Sequence, residues 1–367
     1  MKNTEILMKD YEKYTPENFK GKTPKELGYY FPAEFMPHKA TWLSFPHKEL
    51  SWPGKIDKIY KPYSQFIAEV SQGELVNINV SDVKMKDFAL SCLSQTQVNL
   101  ENINFYFHPT NDAWCRDHGP AFLINPDHRE HKKIIVNWDF NAWGGKYPPY
   151  DLDNRIPQRI AEEEKLPLFS PKIVMEGGSI EFNGKGTALT SKSCLLNPNR
   201  NPYLTQNQIE EYLKNYYGVE QILWIDNGIA GDDTDGHVDD TVRFVNENTV
   251  LAVVETHPND ENYQPLQTNL KQLKEMKLID GQPLNLIELP MPAPVIYEGQ
   301  RLPASYANFY IANKSVIVPI YNCENDEVAL AIIQKYFPDR KVVGIDSTDI
   351  IWGLGSFHCL SQQEPDV

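Results

Sequence analysis

Two stretches of the chain run in parallel. Residues 209–240 read IEEYLKNYYGVEQILWIDNGIAGDDTDGHVDD, and residues 330–361 read LAIIQKYFPDRKVVGIDSTDIIWGLGSFHCLS. Each opens with apolar residues at helical spacing, passes an aromatic pair, meets a helix stop and enters a β-rich run that ends in Ile-Asp. A loop of about ten residues follows in both. The first loop delivers His237 and Asp239; the second delivers His358 and Cys359. A looser third copy, INFYFHPTNDAWCRDHGP (103–120), delivers Asp117. A fourth, PKIVMEGGSIEF (171–182), delivers Glu176 straight from its strand. Repeated units that present polar groups at equivalent points predict a closed, pseudo-symmetric α/β ring, with residues remote in sequence meeting on its axis. The tail GLGSFHCLSQQEPDV (353–367) is then the last loop of the last unit, held in place rather than frayed.

Around these units the same alternation continues. ELVNINV, INFYFHP, KKIIVNW, QILWID, TVLAVVE, LNLIEL and KVVGID are rich in β-branched and aromatic residues, as strands are. IEFNGKGTALT carries an Asn183-Gly184 hairpin signal, and YANFYIANKSVIVPIY reads as a second hairpin turning at Asn313-Lys314. YKPYSQFIAEVSQ, NQIEEYLKNYY, LQTNLKQLKEM and DEVALAIIQKYF have helical periodicity. No low-complexity linker divides the chain and its 27 prolines are scattered, so residues 1–367 are read as one domain.

The chemistry gathers in a few places. Cys359 follows two glycines, Gly353 and Gly355, which allow the backbone to approach a ligand closely. A lone cysteine is commonly an inert, buried hydrophobe, but a histidine flanked by acids elsewhere in the chain is the usual partner of a nucleophilic thiol. In GDDTDGHVDD, an extended backbone would turn His237 and Asp239 to the same side. The competing readings are a solvated acidic loop or a metal site. The EF-hand template fails, because aligning Gly236 with its glycine puts Gly231 and Val242 at ligand positions. NDAWCRDHGPAF sets Trp114 and Asp117 before a Gly-Pro turn: either a turn cap, or an aromatic face and a carboxylate that suit a planar cation. Glu176, before paired glycines, belongs either to a bulge or to a triad, as the acid that orients His237.

Carboxylates around a thiol are odd for acyl transfer, because negative charge raises its pKa. They make sense when the substrate brings a positive charge. A guanidinium held by Asp117 and Asp239 would favour the thiolate and present its carbon for attack, displacing ammonia.

Bulk composition agrees. The net charge of -15 argues against nucleic-acid binding and is compatible with a small cationic substrate. Hydrophobic residues make up 41% of the chain and mean hydropathy is -0.49, which suits a soluble protein with a sizeable core. Five widely spaced cysteines without a CxxC pair argue against a disulfide framework or zinc site. The charged N-terminal MKNTEILMKDYEKYTPENFKGK has no signal-peptide core, and the longest apolar runs are too short to span a bilayer. No membrane partner and a reducing, cytoplasmic location are expected.

At these same residues the sequence resembles the agmatine deiminase family of guanidine-modifying enzymes, which borders on the bacterial peptidylarginine deiminases. FPAEFMPHKATWLSFPHKELSWPG, AWCRDHGPAF, MEGGSIEFNGKGTALT, LNPNRNP, DGHVDDTVRFV and GSFHCLSQQEP come in the family's order across most of the chain. The resemblance implies a five-bladed pseudo-symmetric α/β propeller, the pentein fold. It also implies a nucleophilic Cys359, general acid/base His237, guanidinium-binding Asp117 and Asp239, histidine-orienting Glu176 and a pocket aromatic at Trp114. Family members often carry three consecutive glycines before the hydrophobic-His-Cys element; here Leu354 interrupts them.

The reaction so implied is hydrolysis of agmatine to N-carbamoylputrescine and ammonia through a covalent thiouronium on Cys359, with no metal or organic cofactor. A homo-oligomer is expected, since related enzymes form dimers or larger assemblies. The alternatives are a deiminase of peptidyl-arginine, free arginine or another guanidine, a metal-dependent hydrolase centred on DDTDGHVDD, and a silent amine-binding protein. An arginine substrate would need a cation at the pocket mouth, such as Arg116 or Arg243. Asp232 and Asp233 are candidates for reading the far amine of agmatine.

Overall fold

The computed structural model describes residues 14–367. Most of the N-terminal segment read above for a signal peptide, residues 1–13, lies outside the described residues. Three parallel strands, β1 (His38–Ser44), β2 (Leu75–Asn79) and β3 (Ile103–Tyr106), are joined by helices α1 (Ile56–Val70) and α2 (Val83–Leu93). The next four sheets each repeat one order: an antiparallel strand pair, a helix, then a third strand parallel to the second. In the second sheet these are β4 (Ala121–Ile124), β5 (Lys133–Val136), α3 (Ile156–Glu164) and β6 (Leu168–Phe169). In the third they are β7 (Ile180–Phe182), β8 (Thr187–Ser191), α4 (Gln206–Tyr217) and β9 (Gln221–Ile225). The fourth has β10 (Val242–Asn246), β11 (Thr249–Val254), α5 (Tyr263–Glu275) and β12 (Asn285–Pro290). After a small separate hairpin, β13 (Ile296–Tyr297) and β14 (Gln300–Arg301), the fifth has β15 (Tyr310–Ile311), β16 (Ser315–Ile320), α6 (Asn325–Tyr336) and β17 (Lys341–Asp346).

The tail then completes the first sheet. β18 (Ser361–Pro365) pairs antiparallel with β1, from Leu43 opposite Ser361 to His38 opposite Pro365. The first sheet therefore repeats the order of the other four through β18, β1, α1 and β2, stitched from both ends of the chain, and adds β3 at its edge. On β18 the buried carboxylate of Glu364 accepts from Lys39 at 2.9 Å, Lys133 at 2.7 Å and the Trp42 indole at 2.8 Å. Cys359, two residues before β18, is held for this reason.

Local sequence explains the repeated helix-to-strand passage. α4 starts with a capping box between Thr205 and Gln208, buries Ile209, Leu213 and Tyr217 along one stripe, and stops at Gly218. Gly218 is left-handed (φ 70), and a side chain there would collide with the Tyr29 carbonyl oxygen at 2.2 Å. The inner strands read as continuous apolar runs because both faces are covered; all six residues of β11, TVLAVV, are buried. Both predicted hairpins form. Among the described residues no helix is long and apolar enough to cross a membrane.

Two local expectations are corrected. Glu176 does not extend a strand: Val174 makes only an isolated bridge to Asp139, and Glu176 caps the 3₁₀ turn Gly177–Ser179 ahead of β7. His237 and Asp239 do not lie on an extended segment either, because Val238–Asp240 is a 3₁₀ turn capped by His237.

Candidate active site

In every sheet the polar group sits just before the first strand of the antiparallel pair. Asp117 precedes β4, Glu176 precedes β7, His237 and Asp239 precede β10, and Cys359 precedes β18. The equivalent point before β15 holds Asn308, which the sequence reading did not single out. The insertion of the β13–β14 hairpin between β12 and Asn308 hides that repeat.

These side chains meet. A methyl group on Gly178 would lie 2.6 Å from His237 Nδ1, 2.9 Å from Asp117 Oδ1 and 3.0 Å from Asp239 Oδ2, so three groups from two units face one point on a third. His237 Nδ1 is 3.7 Å from Asp117 Oδ1, and its Nε2 is 4.0 Å from Glu176 Oε2. Among the described residues neither ring nitrogen has a hydrogen-bond partner, nor has Glu176 Oε2. Arg200 donates from Nε to the other oxygen of Glu176 at 2.6 Å. Asp117 accepts from the Trp143 indole at 2.9 Å and from the Gly178 amide at 3.0 Å. Trp143 lies in a left-handed run, Ala142 to Gly145 with φ between 53 and 92°, and this strained turn aims its indole at Asp117.

Cys359 Sγ accepts from Asn308 Nδ2 at 3.0 Å and lies 3.6 Å from Asp239 Oδ2. Asp239 is in turn 2.6 Å from His358 Nδ1, and His358 Nε2 is 2.8 Å from Glu34 Oε2. Glu34 also binds Arg116 at 3.1 Å and Arg243 at 3.0 Å. Both arginines are buried in these ion pairs. They sit behind the site, so neither is the cation at the pocket mouth that an arginine substrate would need: a buried guanidinium stays where carboxylates neutralise it.

Burial dominates the electrostatics. It pushes the Cys359 thiol well up, helped by Asp239, Asp240 and Asp117. It drives His237 down to about 3. Asp117 is raised well above the carboxylate range by burial, then by Asp239 and Glu176. Burial would raise Asp239 too, but the hydrogen bond and charge of His358, with His237 and Arg243, hold it below the usual range. Asp117, Asp239 and Glu176 thus repel one another, and a cation between them would relieve that repulsion.

A cavity of about 370 Å³ leads from the surface to Asp117 and Cys359. Trp114, Trp143, Trp352, Leu302 and Leu354 are among its walls. Gly353 and Gly355 serve the walls as well as the cavity: side chains there would strike Trp114 at 2.9 and 2.6 Å. Between them Leu354 adopts a left-handed conformation (φ 70), the backbone a glycine takes freely. Lys48 and Lys146 line the cavity, and both are paired, Lys48 with Asp112 at 3.2 Å and Lys146 with Asp233 at 3.3 Å and Asp235 at 3.0 Å. Asp233 faces the cavity and accepts from the Tyr147 hydroxyl; Asp232 turns inward to Thr234. Among the described residues two sets of possible metal donors have their ligand atoms within 4.8 Å of one another inside each set, Glu176 with Cys194 and His237, and Asp239 with Asp240 and Cys359. Both sets draw on the thiol, histidine and carboxylates just described.

A buried thiol, a histidine with both nitrogens free and paired carboxylates at the base of a cavity can attack and protonate a bound planar cation. Comparison with known proteins agrees. The agmatine deiminase of Pseudomonas syringae pv. tomato is 33% identical over 366 residues, covering 94% of this chain and 97% of its own length. The solved agmatine deiminase of Enterococcus faecalis superposes with a TM-score of 0.87 at 34% identity, over 94% of this chain and 98% of that one. A substrate-bound agmatine deiminase from C. jejuni, carrying a C315S substitution, gives 0.83 at 34% identity over 92% and 96%. The match to the Porphyromonas-type peptidyl-arginine deiminases runs from residue 30 to 365, through every element that builds the site, and the chain belongs to that family.

Proposed function

We propose that the protein hydrolyses agmatine to N-carbamoylputrescine and ammonia. The observation that carries this reading is the charge layout of the cavity. Its base holds Asp117 and Cys359, with Asp239 3.6 Å from the sulfur, while the two lysines that line it are neutralised by Asp112, Asp233 and Asp235. A guanidinium is welcome at the base, and a free arginine carboxylate would find no unpaired cation among those lysines. Asp233, at the mouth with Tyr147, is suited to the ammonium at the far end of agmatine.

In this reading Asp117 and Asp239 grip the guanidinium against Trp114. Its positive charge favours the thiolate, the thiol proton passes to His237, and the Cys359 sulfur bonds to the guanidinium carbon. His237, oriented by Glu176, carries the proton to one nitrogen, whose bond to carbon breaks as ammonia leaves. Water then adds to the thiouronium carbon, giving up a proton to His237. The carbon–sulfur bond then breaks as the second proton of that water leaves the oxygen for the sulfur, which restores the thiol and leaves the carbamoyl product. No metal is needed. The five repeated units fit a single domain closed as a five-bladed propeller, with these loops on its axis.

The test is ammonia release from agmatine, arginine and a peptidyl-arginine in parallel, with EDTA present. Turnover of agmatine alone supports the reading. Turnover of an arginine compound keeps the chemistry and overturns the substrate, whereas loss of activity to EDTA, restored by a divalent ion, would favour the metal reading. Gly178→Ala is a second check. Its methyl would stand among His237, Asp117 and Asp239, so turnover should fall by at least about 10²-fold while the unfolding midpoint stays close to the parent's.

A further inference from the structure

We infer that Asn308 is a further catalytic residue, the protein's own hydrogen-bond donor to the Cys359 thiolate; this rests on the reading of Cys359 as nucleophile. Asn308 is buried, and four contacts fix its amide. Its Oδ1 accepts from the Cys359 backbone amide at 3.3 Å. Its Nδ2 donates to Asp240 Oδ1 at 2.9 Å and to Cys359 Sγ at 3.0 Å, with Asp239 Oδ2 at 3.4 Å. Its main-chain oxygen accepts from the His358 amide at 3.2 Å. The reverse amide orientation would set Oδ1 against a carboxylate and Nδ2 against an N–H, so the donor must face the sulfur.

The sulfur needs that donor. As a thiol, Cys359 can give its proton to Asp239 Oδ2, 3.6 Å away. As a thiolate it loses that bond and faces Asp239, Asp240 and Asp117, with Tyr321 also nearby and burial opposing the charge. The Asn308 N–H, the one side-chain donor beside the Ser356 backbone amide among the described residues, remains to meet the negative sulfur before the guanidinium arrives. Asp240 keeps it aimed.

The experiment follows the thiol without substrate, so that failure of the agmatine reading leaves it intact. Alkylation of Cys359 by iodoacetamide is measured against pH by peptide mass spectrometry, which separates it from Cys92, Cys115, Cys194 and Cys323. Below the alkylation midpoint, Asn308→Ala should react about tenfold or more slowly than the parent, with the midpoint moved to higher pH. Asn308→Asp keeps the shape and removes the donor, and should shift at least as far. Either folded variant with the parent's midpoint would overturn the inference. On the unaltered chain, the Asn308 side-chain amide protons should move in the NMR spectrum as the thiol ionises. If they hold still through that titration, the inference fails whatever the variants do.

Discussion

Cys359→Ala is expected to leave a folded protein that releases ammonia at least about 10⁴-fold more slowly than the parent, the scale on which a covalent nucleophile acts together with its acid/base partner. The fold should survive because Cys359 contributes little to it beyond a small buried side chain. The segment is held on both sides of the sulfur: the Cys359 amide and the His358 amide bond Asn308, the Cys359 carbonyl accepts from Arg116 at 3.1 Å, and β18 is paired to β1 immediately afterwards. Losing one buried sulfur costs about 1 kcal/mol. Steady-state ammonia release beside a denaturant unfolding curve separates the two effects. A folded variant with near-normal turnover would end the covalent mechanism and return attention to the donors around His237.

How much of this was readable in the sequence depends on which forces shape each element. The helices and inner strands were legible because apolar burial leaves a period: α4, α6, β11 and β17 coincide with the runs quoted at the outset. β18 was not, because its sequence is SQQEP and every one of its residues is buried. Gln363 meets Arg116, and Glu364 meets Lys39, Lys133 and Trp42, so the strand is held by polar pairing that no hydrophobic pattern records. The site divides the same way. Cys359, His237, Asp239, Asp117 and Glu176 sit in polar islands beside glycines and lie together in the structure. Asn308 sits in the apolar run YANFYI behind the β13–β14 insertion, and its only sequence signal was the repeat that the insertion obscured. Trp143 depends on a left-handed turn, for which Gly144-Gly145 was the available clue. Arg200 is explained only by Glu176 and Asp235, its partners 24 and 35 residues away.

Arg243→Met should be the most destabilising of these changes, by about 3–5 kcal/mol at neutral pH, the cost of leaving buried charge without its partner. Arg243 is fully buried. It binds Glu181 through Nε, Glu34 at 3.0 Å, and the carbonyls of Ala307 and Phe309, and its guanidinium lies 4.6 Å from the Phe309 ring centroid. Burial alone would raise Glu34; Arg243 first, then His358 and Arg116, hold it well below the usual carboxylate range. A carboxylate whose folded pKa is depressed contributes stability above its unfolded pKa, about 4.3, and loses it as pH falls through the folded value. Without Arg243 the folded pKa of Glu34 rises, so the deficit is largest at neutral pH and shrinks as Glu34 takes up a proton. Denaturant unfolding at neutral and acid pH reads both the size and the trend. Turnover should fall as well, because Glu34 supports His358, and His358 supports the carboxylate that grips the guanidinium. The opposite pattern, unchanged stability with a raised KM only for carboxylate-bearing guanidines, would make Arg243 a reader of substrate and reopen the arginine alternative. The geometry leaves it no path to that role: an arginine fully buried among two carboxylates and two carbonyls is not part of the cavity wall.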